Sequence, residues 1–308
     1  MTATAYITHE DCMLHNMGPD HPESPTRLQA IHKVLSRTGL LDHLDQLTSV
    51  HVTEEQIKLA HANLHHKKLA MKLPREGVVY TDDDTALCPD SLHAASLAAG
   101  SAILATNRVL AGKAKNAFCA VRPPGHHAEY NMAMGFCFYN NVAIGACHAL
   151  THSSINRVAI LDFDVHHCNG TVDIFKDRPE VLVCSTFQHP YYPERYCSID
   201  RPNIVNCPLA AHSDASLFRD AIEQQWLPAL RAHKPDMIFI SAGFDAHKED
   251  PMADLNLDEE DYRWVTQKIM QIADEFSEGR IVSVLEGGYN PVSLAFSVQA
   301  HLEVLAGF

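Results

Sequence analysis

The 308-residue sequence lacks any cluster of Lys and Arg dense enough to follow a nucleic-acid backbone. Its 24 basic residues face 38 acidic ones, for a formal charge of −14. A phosphate-rich partner is therefore disfavoured, and the acidic surface favours encounter with cations through a screened field. No apolar run nears the roughly 20 residues needed to cross a bilayer. The opening MTATAYITHEDCMLHN has neither the basic region nor the apolar core of a secretion signal. Nine cysteines, an odd number without a CxxC pair, do not make a disulfide framework. These absences predict a cytoplasmic protein with free, mostly buried thiols and no nucleic-acid or membrane partner. No Pro/Gly/Ser-rich linker, charge run or internal repeat divides the chain, so residues 1–308 read as one domain. There is no GxSxG elbow, phosphate-cradling loop or dinucleotide fingerprint.

What is present is a series of short apolar, β-branched runs: AYIT, AFCAV, RVAILDF, VLVCST, NIVNCPL, MIFISAG and RIVSVLEGG. Helical periodicity appears over Pro25–Leu35, from Glu54 through His66 to Lys72, and over Ser91–Leu110, Asn140–Thr151, Ser216–His233 and Leu257–Phe276, with a further helix after EGGYNP. Runs separated by helix-length segments predict an α/β fold, a mostly parallel sheet with helices on both faces.

The unusual residues follow the carboxyl ends of these runs. AFCAV leads into Arg122–His127, RVAIL into DFDVHH, VLVC into Ser185 and Thr186, MIFI into Ser241–His247, and RIVSVL into Glu286–Tyr289. In open parallel sheets that edge is where ligands bind. Asp162, Asp164 and His166 alternate with period two, and Asp245-x-His247 repeats the Asp-x-His pattern on another strand end. One imidazole with two carboxylates suits a divalent first-row metal with an open position. His126 and His127 follow a stiff Pro-Pro-Gly turn, a mount for a general base. Tyr289 follows two glycines, so its phenol can donate to a developing oxyanion. His61, His65 and His66 have no Glu between them in HExxH fashion and no third ligand nearby, so they are assigned to surface or capping positions.

RPPGHHAEYNMAMGFCFYNN, LDFDVHHCNG, SAGFDAHKEDP and LEGGYN, with HPESPTRL near the start, resemble the zinc-dependent histone deacetylase family, particularly its class II branch and bacterial amidohydrolase relatives. The motifs occur in family order from about His21 to Asn290. The resemblance implies the arginase–deacetylase fold, a central parallel sheet of about eight strands. It implies zinc held by Asp164, His166 and Asp245, and His127 as the base that activates water and later protonates the amine. His126 would be the neighbouring imidazole, oriented by Asp162. Asn169, where other branches carry Asp, would support His127, and Tyr289 would stabilise the oxyanion. One structural potassium is implied at Asp162, Asp164 and His166 with Ser185 and Thr186, and a second on the carbonyls of Phe175, Arg178 and Val181. Gly135, Phe136 and Tyr192 would line a tunnel for an acyl-lysine stem. Met252 falls at a gatekeeping position, where an apolar residue does not support the polyamine-selective branch. An acidic lip of Asp82, Asp83 and Asp84 would meet the substrate, with Asp83 taken as its contact. Cys168 replaces the glycine usual in relatives, either as tolerated filler or as an oxidisable thiol.

The expected reaction is therefore hydrolysis of an acyl-lysine or related acylated amine, and an acetylpolyamine or other small amide stands as the alternative substrate. A binuclear manganese ureohydrolase would need further aspartates where Cys168 and His247 stand. A non-catalytic ligand sensor is opposed by the presence of every expected catalytic residue. Oligomeric state is left open.

Overall fold

Eight extended segments pair side by side in the computed structural model, which describes residues 3–308. In chain order the strands are β1 (Ala5–Thr8), β2 (Asp45–Thr48), a two-stranded ribbon of β3 (Val79–Tyr80) and β4 (Ala86–Leu87), then β5 (Ala117–Cys119), β6 (Val158–Asp162), β7 (Val181–Gln188), β8 (Ile204–Leu209), β9 (Met237–Ala242) and β10 (Ile281–Leu285). The main sheet is wholly parallel, in the order β2-β1-β5-β10-β9-β6-β7-β8. Its central strands β6, β9 and β10 are buried along their whole length. That burial on both faces is why they read as unbroken apolar runs instead of alternating patterns.

Helices cover the faces: α1 (Thr26–Arg37), α2 (Glu54–Ile57), α3 (His65–Lys72), α4 (Ser91–Leu110), α5 (Asn141–Ala149), α6 (Asn169–Phe175), α7 (Ala215–Ala221), α8 (Leu227–His233), α9 (Glu259–Phe276) and α10 (Pro291–Ala306). Phe118, Phe163, Phe239 and Phe244 are fully buried in the single large core. No helix among the described residues is long and apolar enough to cross a membrane, and the nine cysteines are all free.

Three departures from the sequence expectations have local causes. β2 escapes notice because DQLT is a half-exposed edge strand with a polar face. The helix expected from Glu54 to Lys72 breaks after Ile57. The intervening chain turns inward: Ala60 and His61 are buried, and the Ala62 N–H donates to the Tyr130 carbonyl at 2.8 Å. Between α7 and α8 the chain widens into a π turn over Ile222–Trp226, next to Pro228, which has no N–H to continue the regular ladder.

Candidate active site

The loops that leave β5, β6, β9 and β10 meet at the carboxyl edge of the sheet, because β10 lies between β5 and β9 and β6 lies beside β9. After β6 the chain presents Asp164 and His166, and after β9 it presents Asp245. One donor atom from each lies within 4.8 Å of the others, and all three side chains are buried. His166 Nδ1 sits 3.0 Å from Asp164 Oδ1 and 3.2 Å from Asp245 Oδ2. Asp245 Oδ1 accepts from the Val165 N–H at 2.9 Å, whereas its Oδ2 is buried without a hydrogen-bond partner. Burial opposes charge on His166, but the two carboxylates outweigh it and hold its pKa at about 10. The cluster thus favours a positive charge at the point where the three donors converge, as a divalent cation would supply. Gly287 makes the approach possible: its N–H donates to Asp164 Oδ2 at 2.8 Å, and any Cβ there would overlap Asp245 Oδ2.

Beside this cluster stand the paired histidines. The His126 Nδ1–H donates to Asp162 Oδ2 at 2.9 Å, and the His127 Nδ1–H donates to Asn169 Oδ1 at 2.7 Å. Burial works against protonating His126, yet Asp164, Asp162 and Glu286 together hold its pKa well above the ordinary imidazole value. His127 behaves oppositely. Burial first, then the neighbouring His126 and His166, hold it well below that value, so it is neutral. With its proton on Nδ1, His127 has a bare Nε2.

A cavity of about 200 Å³ opens over these groups, with His127 and His166 in its wall. Phe136, Tyr191, Tyr192, Met252 and Tyr289 supply the sides, and Gly135 and Asp84 complete it. Gly135 has φ +55°, and a Cβ there would overlap the His127 ring. Tyr192 meets His127 edge-on at 5.3 Å, and Phe136 meets Tyr289 edge-on at 5.9 Å. The Tyr289 N–H donates to Asp250 Oδ2 at 2.6 Å, which fixes the turn that presents the phenol. Burial pushes the Tyr289 hydroxyl well above its ordinary pKa, so it remains a donor.

A family profile described as "Histone deacetylase domain" matches residues 21–305. The chain belongs to the histone deacetylase family. It is similar to the histone deacetylase-like amidohydrolase of Pseudomonas aeruginosa, at 33% identity covering 99% of this chain and 86% of that one. It is also similar to a probable deacetylase of Archaeoglobus fulgidus, at 33% identity covering 99% and 87%. The crystal structure of the HDA15 HD domain superposes with a TM-score of 0.94 at 31% identity, covering all of this chain and 90% of that one. The chain is a hydrolase of the deacetylase type, on a single α/β domain.

Most of the sequence-predicted residues of this deacetylase converge, and a few do not. Asp84, not Asp83, enters the cavity wall, while Asp83 is exposed. The cause is a turn in which Asp82 Oδ1 accepts from the Asp84 and Thr85 N–H groups, so that Asp83 points outward. His247 turns away to within 3.5 Å of Glu259 and is not part of the donor cluster. His61 and His65 are not surface residues: both are buried, and they hydrogen-bond to the segment behind His127. Only His66 of that trio is partly exposed, and it bonds to the Tyr139 hydroxyl. Cys168 is fully buried, with its thiol pushed well above the ordinary pKa by burial.

Two contributors, Glu286 and Tyr191, have no role that the sequence assigns. Glu286 Oε2 accepts from the Gly125 N–H at 2.6 Å and the His126 N–H at 3.1 Å, bracing the turn that carries the histidines. Burial raises its pKa to about 7. Its place at a strand end beside two glycines was visible, but not its partner. Tyr191 stacks on His166 at 5.6 Å and donates to the Met252 carbonyl.

Proposed function

We propose that the protein is a zinc-dependent amidohydrolase that removes acetyl or other acyl groups from lysine side chains or related amines. The observation that carries this reading is the buried Asp164–His166–Asp245 cluster beside His127, whose Nε2 is bare, with His127 and His166 both in the wall of one cavity. Asp164, His166 and Asp245 would hold the metal, which supplies Lewis acidity toward the acyl carbonyl and toward water.

The remaining steps belong to the chain's own groups. His127 Nε2 takes a proton from the attacking water as the new C–O bond forms. His126, held positive by Asp162 and Asp164, keeps His127 from being protonated beforehand. The Tyr289 hydroxyl donates to the oxygen that becomes anionic. When the C–N bond breaks, His127 returns its proton to the amine nitrogen; the second proton of the water, left on the new carboxyl group, passes to the freed amine, so the products are a carboxylate and an ammonium. Phe136 and Tyr192 clasp the apolar stem, Met252 closes the rim, and Asp84 accepts from a donor at the mouth.

Two potassium sites also fit residues present. Ser185 pairs with Asp162 across the β6–β7 ladder, and its buried hydroxyl has no hydrogen-bond partner. Thr186 follows it, also buried. The carbonyls of Phe175, Arg178 and Val181 all gather on Asn203 Nδ2, at 2.9, 3.1 and 2.9 Å. An amide has only two N–H groups, so three converging carbonyls exceed its donors; turned end for end, the amide would bring its Oδ1 to the same point, and the oxygens gathered there would suit a monovalent cation.

A second substrate reading, a small acylated amine, is favoured by the Asp84 carboxylate in the cavity wall. Metal analysis and a panel of acetyl-lysine peptides, acetylpolyamines and longer acyl amides on purified protein test both readings. One zinc per chain with deacetylation of acetyl-lysine peptides supports the first, and selective deacetylation of acetylpolyamines supports the second. Two manganese ions per chain, or no hydrolysis of any amide, would overturn the proposal.

A further inference from the structure

An asparagine beside a histidine is ambiguous. Turned one way, its carbonyl oxygen receives a proton from the imidazole Nδ1; turned the other, its NH₂ donates to Nδ1. In the second arrangement the ring's own proton must sit on Nε2, and a base facing the cavity is lost. Asn169 therefore needs something on its far side to decide which way it points.

That neighbour is Glu129. Asn169 Nδ2 donates to Glu129 Oε1 at 2.9 Å, and weaker contacts run to the His127 carbonyl at 3.4 Å and Met134 Sδ at 3.3 Å. Arg195 donates from Nε to Oε1 at 2.6 Å and from Nη2 to Oε2 at 2.9 Å, so both carboxylate oxygens act as acceptors. An acceptor on that side requires the NH₂ of Asn169 there, which leaves Oδ1 toward His127. The Glu129 side chain is 6% exposed and that of Arg195 is 45% exposed. A buried carboxylate is thus pinned by an arginine at the rim. Arg195 lies three residues beyond Tyr192, in the segment between β7 and β8 that forms one wall of the cavity.

We propose that Glu129 is a positioning residue that locks the Asn169 amide, so that His127 keeps its proton on Nδ1 and its Nε2 bare, and that Arg195 holds Glu129 in this role from the segment that carries Tyr192. The relay runs Arg195 to Glu129 to Asn169 to His127, and every member is oriented by the one before it. It also joins the seating of the aromatic wall to the readiness of the base. The proposal rests on the role given above to His127.

The test uses the zinc-loaded full chain with Glu129→Leu, Glu129→Gln and Arg195→Met. Two quantities are read: steady-state kcat and KM on an acetyl-lysine peptide, and the His127 tautomer from nitrogen-15 NMR of histidine-labelled protein. The His127 signal is assigned by its loss in a His127→Asn sample. Glu129→Leu is expected to lower kcat about 100-fold or more with little change in KM, and to move the His127 proton from Nδ1 to Nε2, as a misoriented imidazole does in other hydrolases. Glu129→Gln keeps an acceptor oxygen for Asn169, so it should retain the Nδ1–H tautomer and most of the turnover. Arg195→Met should populate both tautomers and lower kcat less than Glu129→Leu does. Folded Glu129→Leu protein with an Nδ1–H ring and parental kcat overturns the proposal, as does a Glu129→Gln loss equal to that of Glu129→Leu. If Glu129→Leu does not fold, Arg195→Met decides, and a single Nδ1–H ring with parental kcat would sink the idea. The tautomer is read without turnover. A chain inactive on every amide that still shows the switch refutes the proposed substrate reading and leaves this one standing.

Discussion

Gly287 and Tyr289 stand two residues apart and act in opposite ways, one by having no side chain and the other through its phenol. Because a Cβ at 287 overlaps the unpartnered oxygen of Asp245, Gly287→Ala is expected to fold but to bind zinc substoichiometrically, as read by metal analysis after dialysis. Tyr289→Phe removes the proposed oxyanion donor and leaves Asp164, His166 and Asp245 intact. Its turnover should fall on the order of 10²–10³-fold with unchanged zinc content, and near-parental turnover would remove Tyr289 from the mechanism. At this scale the sequence was most legible where chemistry is packed into contiguous motifs, as in Asp164, His166 and Tyr289. It was least legible where a residue acts through a partner distant in the chain. Glu129 lies only two residues beyond His127, yet its meaning depends on Asn169 and Arg195, 40 and 66 positions away. Asp83 and Asp84 show another limit, since only the turn made by Asp82 determines which carboxylate faces inward.

Among the elements, the broken helix between Ile57 and His65 carries more than its polar sequence suggests. His61 donates from Nδ1 to the Glu129 carbonyl at 3.0 Å and accepts on Nε2 from the Asn140 N–H at 2.9 Å. It thereby ties together both ends of the segment that frames His127. Replacing His61 with Ala leaves two buried backbone groups unsatisfied, and urea unfolding should register a loss of about 2–4 kcal/mol. Periodicity alone predicted one helix here, because a buried histidine and an exposed one occupy similar positions in a helical pattern.

His301 offers a cleaner titration. On α10 it contacts Thr266 Oγ1 of α9 at 2.6 Å and Ser283 Oγ of β10 at 2.9 Å, among the rings of Phe118, Phe163 and Phe244. Burial lowers its pKa to about 3. The folded protein therefore keeps His301 neutral while the unfolded chain takes up a proton below the ordinary value of about 6.5. Its contribution to stability is complete above that value and falls as pH drops toward 3, by about 1.4 kcal/mol per pH unit. His301→Gln should lower stability near neutrality yet flatten its decline between pH 6 and 4 by that slope, as measured by urea unfolding at a series of pH values. Parallel slopes for the two proteins would show that His301 is not neutral in the fold.

For the whole molecule, the donor cluster spans two strands that are neighbours in space but far apart in sequence, with Asp164 after β6 and Asp245 after β9. A cation bound there staples the centre of the sheet and binds the folded state alone. Chelation should therefore lower the melting temperature, and added zinc should raise it in proportion to the logarithm of its concentration. A melting temperature indifferent to chelator would mean that the cluster holds no cation in solution. The architecture itself was readable at this scale, since apolar runs alternating with helices permit few arrangements. The order of the strands was not, because it depends on which crossovers the helices make.

That order has a consequence for how the chain is made. β10 comes after the other seven strands of the sheet in chain order, yet it lies between β5 and β9 at the middle of the sheet. A nascent chain on the ribosome can assemble β2-β1-β5 on one side and β9-β6-β7-β8 on the other, each with an open edge, but cannot join them until Ile281–Leu285 emerges. The histidine pair and the metal donors then belong to two unfinished halves. Hydrolytic competence thus waits for β10, and a chain interrupted before it exposes two sticky strand edges to chaperones or to its own copies.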